Sequence, residues 1–294
     1  MFTKTQKIKL KKYFQQPHRL RDLPVYAERI MARTHYKILP NFIHALWQEQ
    51  VIEPYVFSAR NGKNITLYAS CNPSALSQYE LAAALQPKGY FCNATSIFFH
   101  RLTNQVPATV YVCFETIHPK SGAKGKNLSN SSIRQAFLGA HRHTNYVFEC
   151  KDFSVVVVDR IQGTRFGVEN VSARNNLLPS GSYVTGIERA LIDAVVSPHY
   201  NGGIANVYSY FRHAGPRIKI KQLIDIYKQL KFAYPYSQAI GFFMERLGMQ
   251  DEADLIHKTF PLKHSFYVDH LAKSSWLHDK KWDIYYPKGL VDEN

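Results

Sequence analysis

The chain has 294 residues, of which 45% are hydrophobic and 20% charged. These proportions suit a folded globular protein and exclude a disordered chain, a collagen-like fibre and a coiled-coil rod. Its 37 Lys+Arg against 22 Asp+Glu give a formal net charge of +15, which points to a polyanionic partner, either nucleic acid or an acidic membrane surface. No apolar run approaches the ~18 residues that would span a bilayer. The most apolar stretch, Val155 to Val158, ends at Asp159 and Arg160 and reads as a buried strand. Lys4, Lys7, Lys9, Lys11 and Lys12 are followed by no apolar core, so the beginning of the chain is not read as a secretory signal. Cys71, Cys92, Cys113 and Cys150 form no Cys-x-x-Cys pair. They read as small core residues of a cytoplasmic protein, with no metal site and no cofactor.

Residues 1–70 hold 12 Lys+Arg and 4 Asp+Glu, so a quarter of the chain carries just over half of the excess charge. Thr3 can cap a helix running to about Phe14, with Leu10, Tyr13 and Phe14 facing inward and the lysines outside. A second short helix is expected over about 24–32 and a third from about Leu39 to Gln50. In the third, Pro40 is tolerated in the first turn, and Ile43, Leu46 and Trp47 form the apolar stripe. Two β-prone runs, 51–59 and 64–68, flank Arg60-Asn61-Gly62-Lys63, and Asn-Gly between such runs is a hairpin signal requiring φ > 0 at both turn residues. Three short helices and a hairpin, in that order, predict a winged helix-turn-helix. On that reading Asn41, His44 and Gln48 face base edges. Arg33, Thr34, His35 and Lys37 lie where phosphates position the protein, and Arg60, Asn61 and Lys63 sit at the wing tip.

Beyond residue 70, Ser77-x-x-Glu80 announces a helix over about 78–86, and Asn93 can cap another reaching Leu102. Alternation predicts a strand at 109–115. Residues 118–132 read as a loop, and strands follow at about 145–150, 152–160 and 164–169, the last two joined near Gly163. Thr185-x-x-Glu188 is a second capping-box pattern opening a helix that stops at Pro198, with Arg189 and Asp193 as i, i+4 partners. Asn201-Gly202-Gly203 leads into a helix over about 204–213. Two amphipathic helices follow, one with the stripe Ile220, Leu223, Ile224 and Tyr227, the other with Ile240, Phe243, Met244 and Leu247. Gly248 ends the latter, and the aromatic last 30 residues are expected to pack back. The expected fold class is therefore α+β: a winged helix-turn-helix over 1–70, then a C-terminal domain over 71–294. That domain is mixed α/β over about 71–185 and mainly helical over about 186–294.

The run Tyr183-Val184-Thr185-Gly186-Ile187-Glu188-Arg189-Ala190-Leu191-Ile192-Asp193, followed by Pro198 and Gly202-Gly203, resembles the "TSPERTLLDLL…P…GG" segment of AbiEi-type antitoxins. These are the transcriptional-regulator partners in type IV (abortive infection) toxin–antitoxin systems. The segment Leu81 to Leu102, the paired helices after residue 203 and the ending around Lys281-Trp282-Asp283-Ile284 fit the same pattern. Gly186 stands where that family usually has Ser, and 118–132 looks like an enlarged loop. The resemblance implies a winged helix that binds operator repeats near its own promoter, a C-terminal domain needed for antitoxicity, and a nucleotidyltransferase-like toxin as partner.

Three arrangements could carry chemistry instead. Gly122-Ala123-Lys124-Gly125-Lys126 has two residues between its glycines where a P-loop needs four. Glu149-x-Lys151 has the form used by metal-dependent nucleases and needs a second carboxylate, for which Glu115 and Asp159 are the candidates. His141-Arg142-His143 with Cys150 lacks a fourth ligand at metal-site spacing. No catalytic residue is assigned. The expectation is a non-enzymatic, cytoplasmic regulator that binds double-stranded DNA, not membranes, with its remainder forming a second basic surface, a homodimer contact or a toxin contact. The alternatives are a DNA-targeting nuclease or other defence effector loaded by the winged helix, and a protein-interaction scaffold.

Overall fold

The computed structural model describes residues 2–23, 29–71, 76–116, 128–161, 165–170, 178–179 and 181–291. Its spine is a nine-stranded mixed sheet whose spatial order is β1 (His18–Arg19), β3 (Ile65–Ser70), β2 (Ile52–Ala59), β6 (Val147–Cys150), β7 (Phe153–Ile161), β5 (Thr109–Thr116), β4 (Tyr90–Phe91), β9 (Tyr183–Thr185) and β8 (Val168–Asn170). The two long central strands, β5 and β7, run parallel with Thr109 opposite Ser154 and Thr116 opposite Ile161. Val110, Val112, Val155, Val156 and Val157 are buried and Val158 is half-buried, as expected of strands covered on two sides. A small second sheet places β12 (Ile284–Tyr286) between β10 (Phe266–Tyr267) and β11 (Leu277–Asp279). Among the described residues no helix is long and apolar enough to cross a membrane.

Among the described residues, three large apolar cores stand beside two small clusters around Tyr90 and Val147. The first gathers Leu10, Phe14, Leu23, Phe42, Ile43, Leu46 and Ile52 from the first 70 residues. The second lies between the sheet and the helix Gln78–Leu85. The third and largest is built by the helices after residue 186, with the helix Asn130–Leu138 and the small second sheet. The sheet does not stop at residue 70. β2 pairs with β3 as far as Phe57 opposite Ile65, then Ser58 and Ala59 pair with Glu149 and Phe148 of β6.

Several local expectations hold. Thr3 and Ser77 each form a complete capping box, with Gln6 and Glu80 respectively. The chain end packs back through Trp282, which is buried against Gly241 so closely that a β-carbon there would collide with the indole.

Others are corrected. Asn93 caps nothing: the helix is Asn93–Phe99, Asn93 itself has φ 49°, and its buried amide instead meets Asn201 and the Cys92 sulfur. Thr185 belongs to β9, so the second capping box does not form; Gly186 is the cap and Glu188 accepts the Lys219 N–H at 2.9 Å. The Glu169 carboxylate fills the space a side chain at 186 would occupy. Its negative charge thus lies at the helix N-terminus, where the backbone dipole favours it. Residues 128–132, read as loop, begin the helix Asn130–Leu138 under a Ser129 cap, and a further helix, Gln250–Thr259, follows Gly248. β7 and β8 are not neighbours; β5, β4 and β9 lie between them. The expected helix over 24–32 lies mostly outside the described residues, as do Gly122 to Lys126 and Gly163.

The pair Arg189 and Asp193 is not on the surface. Both side chains are fully buried on the helix Ile187–Val196, with Arg189 Nε 2.9 Å from Asp193 Oδ1. The same carboxylate oxygen meets Arg160 Nη1 of β7 at 2.7 Å. Arg189 also donates to the Tyr90 hydroxyl at 3.2 Å and to the Phe166 carbonyl, and lies 3.6 Å from Glu115, which accepts from Tyr90 at 2.5 Å. Burial pulls the Arg160 pKa down, but the Asp193 carboxylate together with Cys113, Tyr90 and Cys92 outweighs it and the net direction is upward. Removing one partner of such a group strands the others in a dry interior. Asp193→Ala is expected to lower unfolding free energy by about 3–5 kcal/mol in urea titrations, far beyond an exposed i, i+4 pair.

Candidate nucleic-acid interface

The helix Leu39–Gln48 turns Phe42, Ile43 and Leu46 into the first core and leaves Asn41, His44, Trp47 and Gln48 exposed. Trp47 is 48% exposed, not part of the buried stripe. At about 100° per residue, Phe42 and Leu46 take the middle of the inward face and Trp47 falls at its edge. There it meets the His44 ring edge-on at 5.8 Å. The helix has no side-chain cap and no acid in its first turn, so its N-terminal amides and positive dipole end suit an anion.

Immediately before the helix, Arg33, His35 and Lys37 are exposed, and the His35 ring lies on Tyr36 at 4.0 Å. Thr34 is half-buried and its hydroxyl is already engaged, donating to the Met31 carbonyl and accepting the Tyr36 N–H. Glu49 closes the other end, accepting from Phe2 N and pairing with Lys7 at 2.9 Å. This fixes the basic helix Lys4–Tyr13 against the 39–48 helix while Lys4, Lys9, Lys11 and Lys12 remain exposed.

The hairpin tip departs from the expected two-residue turn. Gly62 has φ +80°, but Asn61 does not adopt positive φ; its side chain accepts the Lys63 N–H instead, at 3.2 Å. The tip is longer because β2 outgrows its hairpin partner and is taken up by β6, with Arg60 N donating to the Val147 carbonyl at 3.2 Å. Arg60, Asn61 and Lys63 are all exposed. The expected site residues thus lie on two separate features of the first 70 residues, the helix with its approach and the hairpin tip at the far end of β2. The structure adds Trp47, which the stripe assignment had hidden.

No protein-family model matches this chain, and no curated protein matches its sequence. Among solved structures it is similar to a crystal structure of the RV2827C protein from Mycobacterium tuberculosis. That likeness has a TM-score of 0.60 at 11% identity, over 95% of this chain and 89% of that one. At such identity it speaks to fold alone, which is similar over most of both chains.

The other sequence candidates separate in space. Glu149 is exposed on β6, whereas Glu115 is buried beside Arg189 on β5, with β7 between them; Lys151 lies over the Tyr55 ring at 4.4 Å. Among the described residues no group of three or more His, Cys, Asp or Glu side chains could hold a metal ion. Cys150 is buried in the second core, away from His141 and His143. Those two histidines instead meet residues that no spacing predicted. His141 pairs with Asp269 at 2.6 Å and stacks on His199 at 4.1 Å; its ring is 4.4 Å from that of His270, and His143 lies 4.8 Å from His199.

Burial, reinforced by the neighbouring His141 and His143, pulls the His199 pKa down to about 4. Burial and His141 also lower that of His270. A histidine whose folded pKa lies below its unfolded value binds its proton preferentially when unfolded. Its contribution is therefore complete above about pH 6.5 and declines as pH falls toward 4. Urea unfolding across that window is expected to show falling stability, and His199→Asn is expected to flatten the slope.

Proposed function

We propose that the chain is a sequence-specific DNA-binding regulator of the AbiEi antitoxin type, whose first 70 residues act as a winged helix-turn-helix. The observation that carries this is the exposed face of the 39–48 helix. It offers two amides, an imidazole and an indole, with Arg33 and Lys37 at its approach, and the hairpin that follows in the chain carries Arg60 and Lys63. Amide side chains at positions 41 and 48 match adenine edges, His44 can bond either a donor or an acceptor edge, and Trp47 offers apolar area to a thymine methyl. The cations and the uncapped helix N-terminus take phosphates, which sets register and gives salt-dependent affinity without reading sequence. The antitoxin role, with operator repeats near its own promoter as target and a nucleotidyltransferase-like toxin as partner, rests on the resemblance carried by residues 183–203. The remaining 224 residues then serve to dimerise or to oppose the toxin.

Fluorescence anisotropy on the native upstream duplex and on a scrambled one, at two salt concentrations, tests the reading. Tight binding to the native duplex that largely survives added salt supports it; equal and steeply salt-dependent binding to both contradicts it. Asn41→Ala or His44→Ala is expected to cost roughly 1–3 kcal/mol at one base position and leave the scrambled duplex unaffected. Arg60→Ala or Lys63→Ala is expected to weaken both duplexes alike and reduce the salt slope by about one.

A further inference from the structure

The helix Leu39–Gln48 contains no Arg, Lys, Asp or Glu, although the chain as a whole carries a net charge of +15. That composition limits what its exposed face can recognise. At about 100° per residue the outward side divides into two lanes. Pro40, His44 and Trp47 recur at i, i+4 and i+7, and Asn41, Ala45 and Gln48 repeat the spacing beside them. All are exposed except Ala45, which is half-buried. The first lane is apolar and aromatic, its His44 ring turned edge-on against Trp47 at 5.8 Å. The second carries the two amides. Among the described residues no hydrogen bond within the protein engages the side chain of Asn41, His44 or Gln48. The amides of Gln6, Asn61 and Asn130, by contrast, each accept a backbone N–H.

Base edges in the major groove differ in what they ask of a protein. A G·C pair is read by a cation donating to guanine O6 and N7, or by a carboxylate accepting from the cytosine amino group. This helix provides neither. An A·T pair offers adenine N6 and N7 to an amide, which donates and accepts at once, and its thymine methyl to an apolar side chain. Both of those partners are present, in adjoining lanes. His44 bonds to either pair and does not discriminate. Arg33 and Lys37 precede the first turn, where phosphate contacts set register.

Resting on the DNA-binding reading above, we infer that this helix selects A·T base pairs through the major groove, with Asn41 and Gln48 on adenine edges and Trp47 against a thymine methyl. Seven residues separate the two amides, about 10 Å along the helix axis, which matches the rise of about three base-pair steps. The sequence selected is therefore a short uninterrupted A·T run.

Fluorescence anisotropy with the full chain tests this on its own upstream duplex in four versions. These are unmodified, with uracil for thymine, with inosine·cytosine for every A·T pair, and scrambled so that the A·T runs are broken. Uracil lacks only the methyl. An inosine·cytosine pair keeps the minor-groove face of A·T and presents the major-groove face of G·C. The uracil duplex is expected to bind about fourfold to fifteenfold weaker, one or two buried methyls being worth about fourfold each. The inosine duplex is expected to fall to the level of the scrambled one. Trp47→Ala is expected to erase the difference between the thymine and uracil duplexes, whereas Arg60→Ala weakens every duplex alike. A preference for the unmodified over the scrambled duplex that survives unchanged in the uracil or the inosine version would overturn this inference and leave the regulator reading standing. Equal binding of the unmodified and scrambled duplexes would overturn the regulator reading, and this inference with it.

Discussion

The carboxylate of Asp193 holds two buried guanidiniums, and the architecture depends on that arrangement. Arg189 comes from the same helix four residues earlier, and Arg160 from the central strand β7. The group therefore pins the third core's first helix to the middle of the sheet. Glu115 on β5 and Tyr90 on β4 extend it across two more strands. Charges in a dry interior are costly to desolvate, and an apolar substitute of the same volume would often be as stable. What the ions add is direction: the fork of Arg189 is met by Asp193, the Tyr90 hydroxyl and the Phe166 carbonyl together. Only one placement of helix on sheet satisfies all three.

That group also explains what the antitoxin resemblance is made of. Arg189 and Asp193 belong to the run that carries it, and both are spent on the buried link. Glu188 anchors the next helix through Lys219 N, and the Gly202 and Gly203 turn, both with positive φ, starts the helix Ile204–Ala214. The motif is thus a specification of fold. Its departure at Gly186 is compensated within the same fold by Glu169, whose carboxylate stands where a capping side chain would project. The regulatory reading draws its physical support from a different part of the molecule, the face of the 39–48 helix.

Local geometry was visible in the sequence wherever both partners lie within one turn of chain. Ser77 with Glu80 and Thr3 with Gln6 closed as their spacing requires. The same kind of pattern failed at Thr185 and Glu188 because pairing with Val168 of β8 took the threonine into β9 and a distant backbone amide claimed the glutamate. For Arg189 and Asp193 the pairing was readable and the burial was not, since spacing carries no information on what covers a helix face. Trp47 erred for a related reason: a three-residue stripe fits several rotations of a short helix, and Phe42 decides among them. The histidine cluster had no local signature at all. His143 and His199 are 56 positions apart, and the sheet and the returning C-terminal segment bring them to one wall.

The charge distribution gains meaning once burial is known. Arg160 and Arg189 are neutralised inside the protein by Asp193 and Glu115 and contribute little field outside it. In the first 70 residues the reverse holds. Glu49 is tied to Lys7 and Asp22 faces Arg21, while Lys4, Lys9, Lys11, Lys12, Arg33, Lys37, Arg60 and Lys63 reach solvent. These pairs cancel charge for charge, so the first quarter of the chain still carries just over half of the net positive charge that reaches outward. Because β2 is hydrogen-bonded into the main sheet through Ser58, Ala59 and Arg60, these cations do not ride on an independently swinging module. On the proposed DNA-binding reading, phosphate contacts to these cations orient the base-reading side chains, which is how a sequence-blind attraction becomes a sequence-selective one.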